Sequence, residues 1–331
     1  MSLESSSLDA DQIVDRRRLR RKLTFWRVAA VLIDIVAVVG TVSLAARRTG
    51  MFSSAGSSVA RISIEGLIRT DRARVEALER LGKSKVKAVI LHINSPGGTT
   101  AGSEELYDAL IKLKASKPFV VVVDGLAASG AYIAALSSDH IVSSQNSLVG
   151  SIGVLFQYPN VSDLLKTIGV KVEEIKSSPL KAAPNGYEPT SPEARAAIES
   201  IVKDSYAWFR DLVGERRKLA DAALDRVADG RVFTGRQGLE LKLVDALGNE
   251  QTAREWLAKE KNIDLKTPVR DYELTPRFSD LPFIRVAMIG LFDAVGLTSF
   301  ARRMEEWGTV QAVERLNLDG LLALWHPPVG N

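Results

Sequence analysis

The sequence predicts an α/β fold: a parallel sheet of βαβ units with flanking helices, preceded by one apolar span. Three observations predict it. Short runs rich in valine and isoleucine, with few polar residues, recur along the middle of the chain. Stretches of roughly a dozen residues with helical spacing separate them, the order expected of parallel strands buried on both faces. A 19-residue apolar run, Val28 to Ala46, stands apart near the start. With 331 residues, 46% of them apolar and 25% charged, the chain has enough apolar surface for a substantial core.

In chain order, residues 47–58 ("RRTGMFSSAGSS") are rich in Ser and Gly and read as a linker. "VARISIEG", from Val59, is the first strand, followed by a helix from Thr70 to Leu81 with Asp71 near its start. "KAVILHIN" is an unbroken β-rich run that ends in the turn "SPGGTTAGS", and a helix then covers Glu104 to Lys114. "PFVVVVDG" is a second buried strand, leading to a helix that opens at Ser129. "HIVSS", "SIGVLF" and "VKVEEIKS" are expected as further short strands, with a helix near Ser162 to Thr167. Thr190-Ser191-Pro192 starts a helical stretch reaching Ala223, because Ser caps the first turn and Pro needs no N–H there.

Beyond about Asp264, "LPFIRVAMIGLFDAVGLTSF" is apolar but carries Arg285 and Asp293, which makes it a poor second span. "LDGLLALWHPP" is expected as a core-packed or interface helix, with contact to a membrane surface as the competing reading. The expected division is a basic tail over 1–27, the span over 28–46, the linker over 47–58, a compact domain over 59–263, and a segment of no assigned role over 264–331.

The apolar run decides how the basic residues are read. At about 1.5 Å rise per residue it just crosses a hydrocarbon core of roughly 30 Å. Seven basic residues (Arg16, Arg17, Arg18, Arg20, Arg21, Lys22 and Arg27) precede it, against Arg47 and Arg48 after it. That asymmetry orients the start of the chain to the cytoplasm and sends the remainder outward. A cleavable signal peptide is the competing reading, but the long and initially acidic stretch ahead of the run favours an uncleaved anchor. Asp34, the one charge inside, lies about two turns in, and a single charge is tolerable in a span. A net charge of only +4 gives no separate reason to expect a nucleic-acid partner.

There is no cysteine, which excludes disulfides, thiol catalysis and cysteine-ligated metals. Three histidines (His92, His140, His326) are too few for a histidine-rich metal site.

The chemistry concentrates in "DGLAASGAYIAA", Asp124 to Ala135. A serine opening a helix is ordinarily a cap. Here Ala127, Ala128, Gly130 and Ala131 leave room around Ser129 for another backbone to approach. A second glycine turn, "NSPGG" (Asn94 to Gly98), also ends a buried strand. Carboxyl ends of parallel strands line one crevice, where two such turns can supply N–H donors for an oxyanion beside a serine hydroxyl. A nucleophilic serine needs a base. His92, inside an apolar strand, reads as a satisfied core residue; His140 reads as solvated; His326 lies far along the chain. A lysine serves only if apolar burial removes roughly three pKa units from about 10.4. Lys181, in "SSPLKAAPNG", has the apolar flanks for that.

"INSPGG", "DGLAASGAYIAA", "SLVGSIGVL", "KSSPLKAAP" and "DGRVFTGRQGLELKLVDALG" follow one another as in the signal peptide peptidase A family, and the chain resembles its short, single-unit form from about Arg61 to Gly248. The resemblance implies a bacterial, membrane-anchored serine protease with a Clp/crotonase-like fold, acting on signal peptides outside the cytoplasmic membrane without a cofactor. It implies that Ser129 is the nucleophile, Lys181 the general base, and Ser151 the residue that orients the lysine amine. Gly97 or Gly98, with Gly130, would form the oxyanion hole. It further implies a homo-oligomeric ring in which the site is shared between protomers. Lys242, in "LELKLVD", stands where the family commonly has Gly, at a local cost of about 1 kcal/mol if the position is left-handed. An acyl-CoA enzyme of crotonase type and a non-catalytic membrane scaffold are the competing readings.

Overall fold

The computed structural model describes residues 58–274 and 322–324. Strand β1 (Val59–Ile68) leads to helix α1 (Arg72–Lys83), whose first turn is closed by the Asp71 carboxylate accepting the Arg74 N–H. Strand β2 (Ala88–Thr99) and helix α2 (Thr100–Ser116) repeat the unit, and strand β3 (Phe119–Ala128) with helix α3 (Gly130–Leu136) repeats it again. There follow β4 (His140–Ser143), β5 (Leu148–Gly150), α4 (Ser162–Thr167) and the long α5 (Pro192–Arg217), capped by Ser191 with proline in its first turn. Helix α6 (Asp221–Val227), β6 (Val232–Thr234), α7 (Gly235–Glu240), β7 (Ala246–Leu247), α8 (Glu250–Lys261), β8 (Val269–Asp271) and β9 (Leu322–Leu324) complete the described elements.

The sheet is parallel at its centre, where β2 lies between β1 and β3. Its carboxyl ends form one rim. Strand β3 changes neighbours halfway: Val120–Val123 pair with β4, and Leu126–Ala128 pair with β5. The half of β3 that leads to Ser129 is therefore flanked by Leu148–Gly150. Among the described residues antiparallel pairing enters with β6 on β5, β9 on β2 and the isolated Leu155–Leu322 bridge.

Alternation along the strands feeds two cores. Ile62, Ile64, Leu91, Ile93, Val121 and Val123 face α1, α2, α3 and α5, where Leu78, Leu110, Tyr132 and Phe209 are fully buried. Ile90, Val120, Val122 and Val142 face the other way, onto Ala253 and Leu257 of α8. Burying a valine or leucine completely stabilises by about 1.5–3 kcal/mol, so the four-valine run anchors both layers at once.

Several expectations are corrected. "VKVEEIKS" forms no strand: Val170, Val172 and Ile175 are exposed, and among the described residues no strand pairs with it. "SIGVLF" reaches strand geometry only as an isolated bridge at Leu155, because Ser151, at φ 51°, breaks the extension of β5. The long helical stretch ends at Lys218, which takes left-handed φ and ψ, and a separate short helix follows. The sheet also continues past Ile263: β8 pairs with β1, and Leu322–Leu324 form a strand where a helix was expected. The apolar run over 28–46, Asp34, His326 and "LPFIRVAMIGLFDAVGLTSF" lie outside the described residues. Among the described residues no helix is long and apolar enough to cross a membrane.

Candidate active site

Ser129 sits between β3 and α3 at φ 55°, ψ −120°. A non-glycine residue held in such a region costs about 1–3 kcal/mol and persists only where its surroundings fix it. They do here. Its N–H donates to the Gly150 carbonyl at 2.8 Å, and its own carbonyl accepts from Tyr132 at 2.9 Å and Ile133 at 3.1 Å. The side chain makes no capping bond to the helix, so the ordinary reading of a serine at this place does not apply. Instead the hydroxyl lies 3.4 Å from the Gly153 carbonyl, donating to it. Ala127, Ala128, Gly130 and Ala131 around it are fully buried, as the small-residue pattern requires.

The glycine turn meets this serine along the sheet, because Ser95 of β2 pairs with Ala127 of β3. Gly97 has φ 99°, a conformation that an L side chain rarely adopts. Gly98 takes no positive φ but has no room: a Cβ there would overlap the Ile68 carbonyl of β1. Ser95 holds the turn, its hydroxyl donating to the Gly66 carbonyl at 2.6 Å and accepting the Gly97 N–H at 3.1 Å. The Gly97 N–H is thereby committed, which leaves Gly98 as the better oxyanion donor of the pair.

Ser151 follows the glycine whose carbonyl binds Ser129. It is buried, has φ 51°, and its N–H donates to Arg231 O at 2.8 Å. Gly97, Gly98, Ser129, Gly130 and Ser151 are thus gathered at the carboxyl ends of β2, β3 and β5. Lys181 is not brought to them within one chain. It is exposed, in a segment without helix or strand, and no hydrogen bond joins it to Ser129 or Ser151. The apolar burial expected for it is absent in the single chain.

The histidines are occupied elsewhere. His92 Nδ1 lies 3.0 Å from both Asp124 carboxylate oxygens, and Nε2 lies 2.9 Å from Glu250 Oε2. His140, expected to be solvated, is mostly buried and stacks on Trp256 with ring centroids 4.8 Å apart; burial lowers its pKa. Neither is placed as a base for Ser129. Sequence reasoning missed Ser95 and Gly153, which position the turn and the hydroxyl. The only hint was a serine directly before "PGG".

A buried serine hydroxyl at a strained strand-to-helix turn, beside a constrained glycine turn, is an arrangement for attack on a carbonyl. The model of peptidase family S49 matches residues 111–264, and the Clp protease model matches residues 53–147. A Synechocystis protein described as an inferred protease is 36% identical over 214 residues, covering 64% of this chain and 77% of that protein. Protease 4 of Salmonella typhi is 37% identical over 166 residues, covering 50% of this chain and 27% of its own length. The chloroplastic serine protease SPPA of Arabidopsis thaliana is 28% identical over 290 residues, covering 87% of this chain and 41% of its own length. The chain therefore spans most of the first relative but less than half of the other two. It belongs to peptidase family S49 and is a serine peptidase.

Proposed function

We propose that the chain is a membrane-anchored endopeptidase that cleaves signal peptides and other short or unfolded peptides with a Ser129/Lys181 dyad. The observation that carries this is the Ser129 backbone, held at φ 55° with its hydroxyl uncommitted to the helix. Neutral Lys181 takes the Ser129 proton, Ser129 attacks the peptide carbonyl, and the Gly98 and Gly130 N–H groups receive the oxyanion. The protonated lysine then gives its proton to the leaving amine, and water hydrolyses the acyl-enzyme. Ser151 aims the lysine amine.

An exposed lysine cannot do this alone. It needs burial, and the surface around it supports a second copy as the source. Ile168 is 61% exposed, Leu164 59% and Leu180 48%. Large apolar side chains left exposed over the stretch that carries Lys181 favour an interaction surface. In this reading Lys181 reaches the Ser129 of a neighbouring protomer, head-to-tail contacts close a ring, and the run over 28–46 anchors it with the catalytic domain outside. Mass spectrometry of products from a panel of signal-peptide sequences tests the reading. Wild type should cut within the apolar segments and Ser129→Ala should cut none; equal cutting by both would remove Ser129 from the reaction.

A further inference from the structure

The amino ends of the parallel strands form a second rim, opposite the candidate site, and its charge is one-sided. Lys83 ends α1, Lys85 and Lys87 follow in the loop to β2 with no acidic residue among them, and Lys266 precedes β8. All four are exposed, and among the described residues none is paired with a carboxylate. A cation at a helix end offsets the helix dipole, which accounts for Lys83. Lys85, Lys87 and Lys266 lie outside the helices, in a domain that is close to neutral as a whole.

The rim continues into a cavity of about 530 Å³ at the ends of α2, α5 and α8. Lys114, Lys117, Arg216 and Lys261 line it against one carboxylate, Asp139, which lies 3.4 Å from Lys114 and 3.9 Å from Lys261. Burial, with Arg216 beside it, lowers the Lys114 pKa, as expected where cations crowd around too little anion. Hydrogen bonds join these loops into one surface. The Lys117 amine donates to the Ser84 carbonyl at 2.8 Å, the Lys87 N–H to the Ser58 carbonyl at 2.8 Å, and the Val59 N–H to the Pro268 carbonyl at 3.0 Å. The chain therefore enters the domain between Lys87 and the loop that carries Lys266. Leu265, 43% exposed, stands beside that lysine.

We propose that this rim docks on an anionic lipid surface, with Lys85, Lys87 and Lys266 against the headgroups and a headgroup phosphate in the cavity beside Lys114. The proposal rests on reading residues 28–46 as an anchor. The occupant follows from where the chain enters. The apolar run ends at Ala46, and only residues 47–58 separate it from β1. Twelve extended residues reach about 40 Å, so an anchored domain stays within that distance of the bilayer. Unpaired lysines beside an exposed leucine suit phosphates with acyl chains beneath them. Docked this way, β2 and β3 stand on the membrane. At about 3.3 Å per residue they hold Ser129 roughly 30 Å from the headgroups, where peptides reach it from water.

The test uses the full chain with vesicles of phosphatidylcholine, alone or mixed with phosphatidylglycerol. The chain has no cysteine, so Ala115→Cys on the basic rim, or Asn146→Cys on the opposite one, carries a single donor dye. Energy transfer to an acceptor-labelled lipid is the readout. Phosphatidylglycerol should raise transfer from position 115 and leave position 146 low. Each lysine near an anionic surface contributes about fivefold to binding. Lys85→Gln, Lys87→Gln and Lys266→Gln together should therefore weaken docking about 10²-fold and abolish the rise. High salt should do the same to the unsubstituted rim, with no question of folding. Transfer from position 115 that ignores phosphatidylglycerol would overturn the docking, as would a triple variant that keeps the full rise. Flotation with phosphatidylcholine alone at high salt reads the anchor separately. A chain left behind there refutes the anchor, while its response to phosphatidylglycerol still decides the docking.

Discussion

The wall around Ser129 and the segment from Leu164 to Tyr187 are built in opposite ways. In the wall, Ala127, Ala128, Gly130 and Ala131 are fully buried, and the strained serine is held by three main-chain bonds. In the segment, beyond the short α4, there is no regular structure, and Ile168, Val170, Val172, Ile175, Leu180 and Tyr187 are all exposed. Half of the proposed dyad is finished by the fold of one chain; the other half is presented on an apolar surface that one chain leaves uncovered. A nucleophile must be fixed before substrate arrives, so it belongs in the core. A base that needs desolvation can wait for assembly to supply it.

The sharpest way to break this contrast is to remove either member. Ser129→Ala and Lys181→Ala should each lower kcat/KM by roughly 10⁴-fold or more, and the double variant should be hardly worse, because the two act as one unit. Purified full-length variants with unchanged circular dichroism make the comparison. Near-wild-type turnover by Lys181→Ala would show that the uncovered segment holds no base.

The next effect is on the wall itself. Gly98→Ala would force a methyl group into the Ile68 carbonyl, and overpacking of this kind costs about 1–3 kcal/mol or more. The melting temperature should fall and activity should fall with it. An unchanged melting temperature would mean that the turn is looser than its contacts imply.

The segment should respond differently. Ile168→Ser and Ile175→Ser lie on an exposed surface and should change the stability of one chain by no more than about 0.5 kcal/mol. Native mass spectrometry should nonetheless show smaller assemblies, with activity reduced in proportion. Assemblies of unchanged mass would place the interface elsewhere.

Much of the wall was legible because its signals are local. A four-valine run, two glycine turns and alanines around one serine constrain the backbone within a few residues of themselves. Lys242 shows the same: its φ is 62°, the left-handed geometry that its glycine-like position implied. Lys242→Gly should therefore stabilise slightly, by about 1 kcal/mol, the smallest of these effects, readable as a rise in denaturant midpoint. The segment hides its structure for the complementary reason. "VKVEEIKS" has strand composition, but a strand forms only where another offers its hydrogen bonds, and among the described residues none does so here. "LLALW" reads as a helix because three residues of strand leave no periodicity to detect, and its partner, Gly97–Thr99, is more than 200 residues away in sequence. Ser95 and Gly153 were invisible because their roles depend on distant main-chain atoms.

The most direct measurement of the central claim coassembles two inactive variants, Ser129→Ala and Lys181→Ala. If Ser129 and Lys181 meet across an interface, random mixing gives each site half a chance of an intact serine and half a chance of an intact lysine. Roughly a quarter of wild-type activity should then return. If both come from the same chain, every site lacks one member, and mixed assemblies verified by mass would stay inactive, contradicting a base supplied by the neighbour.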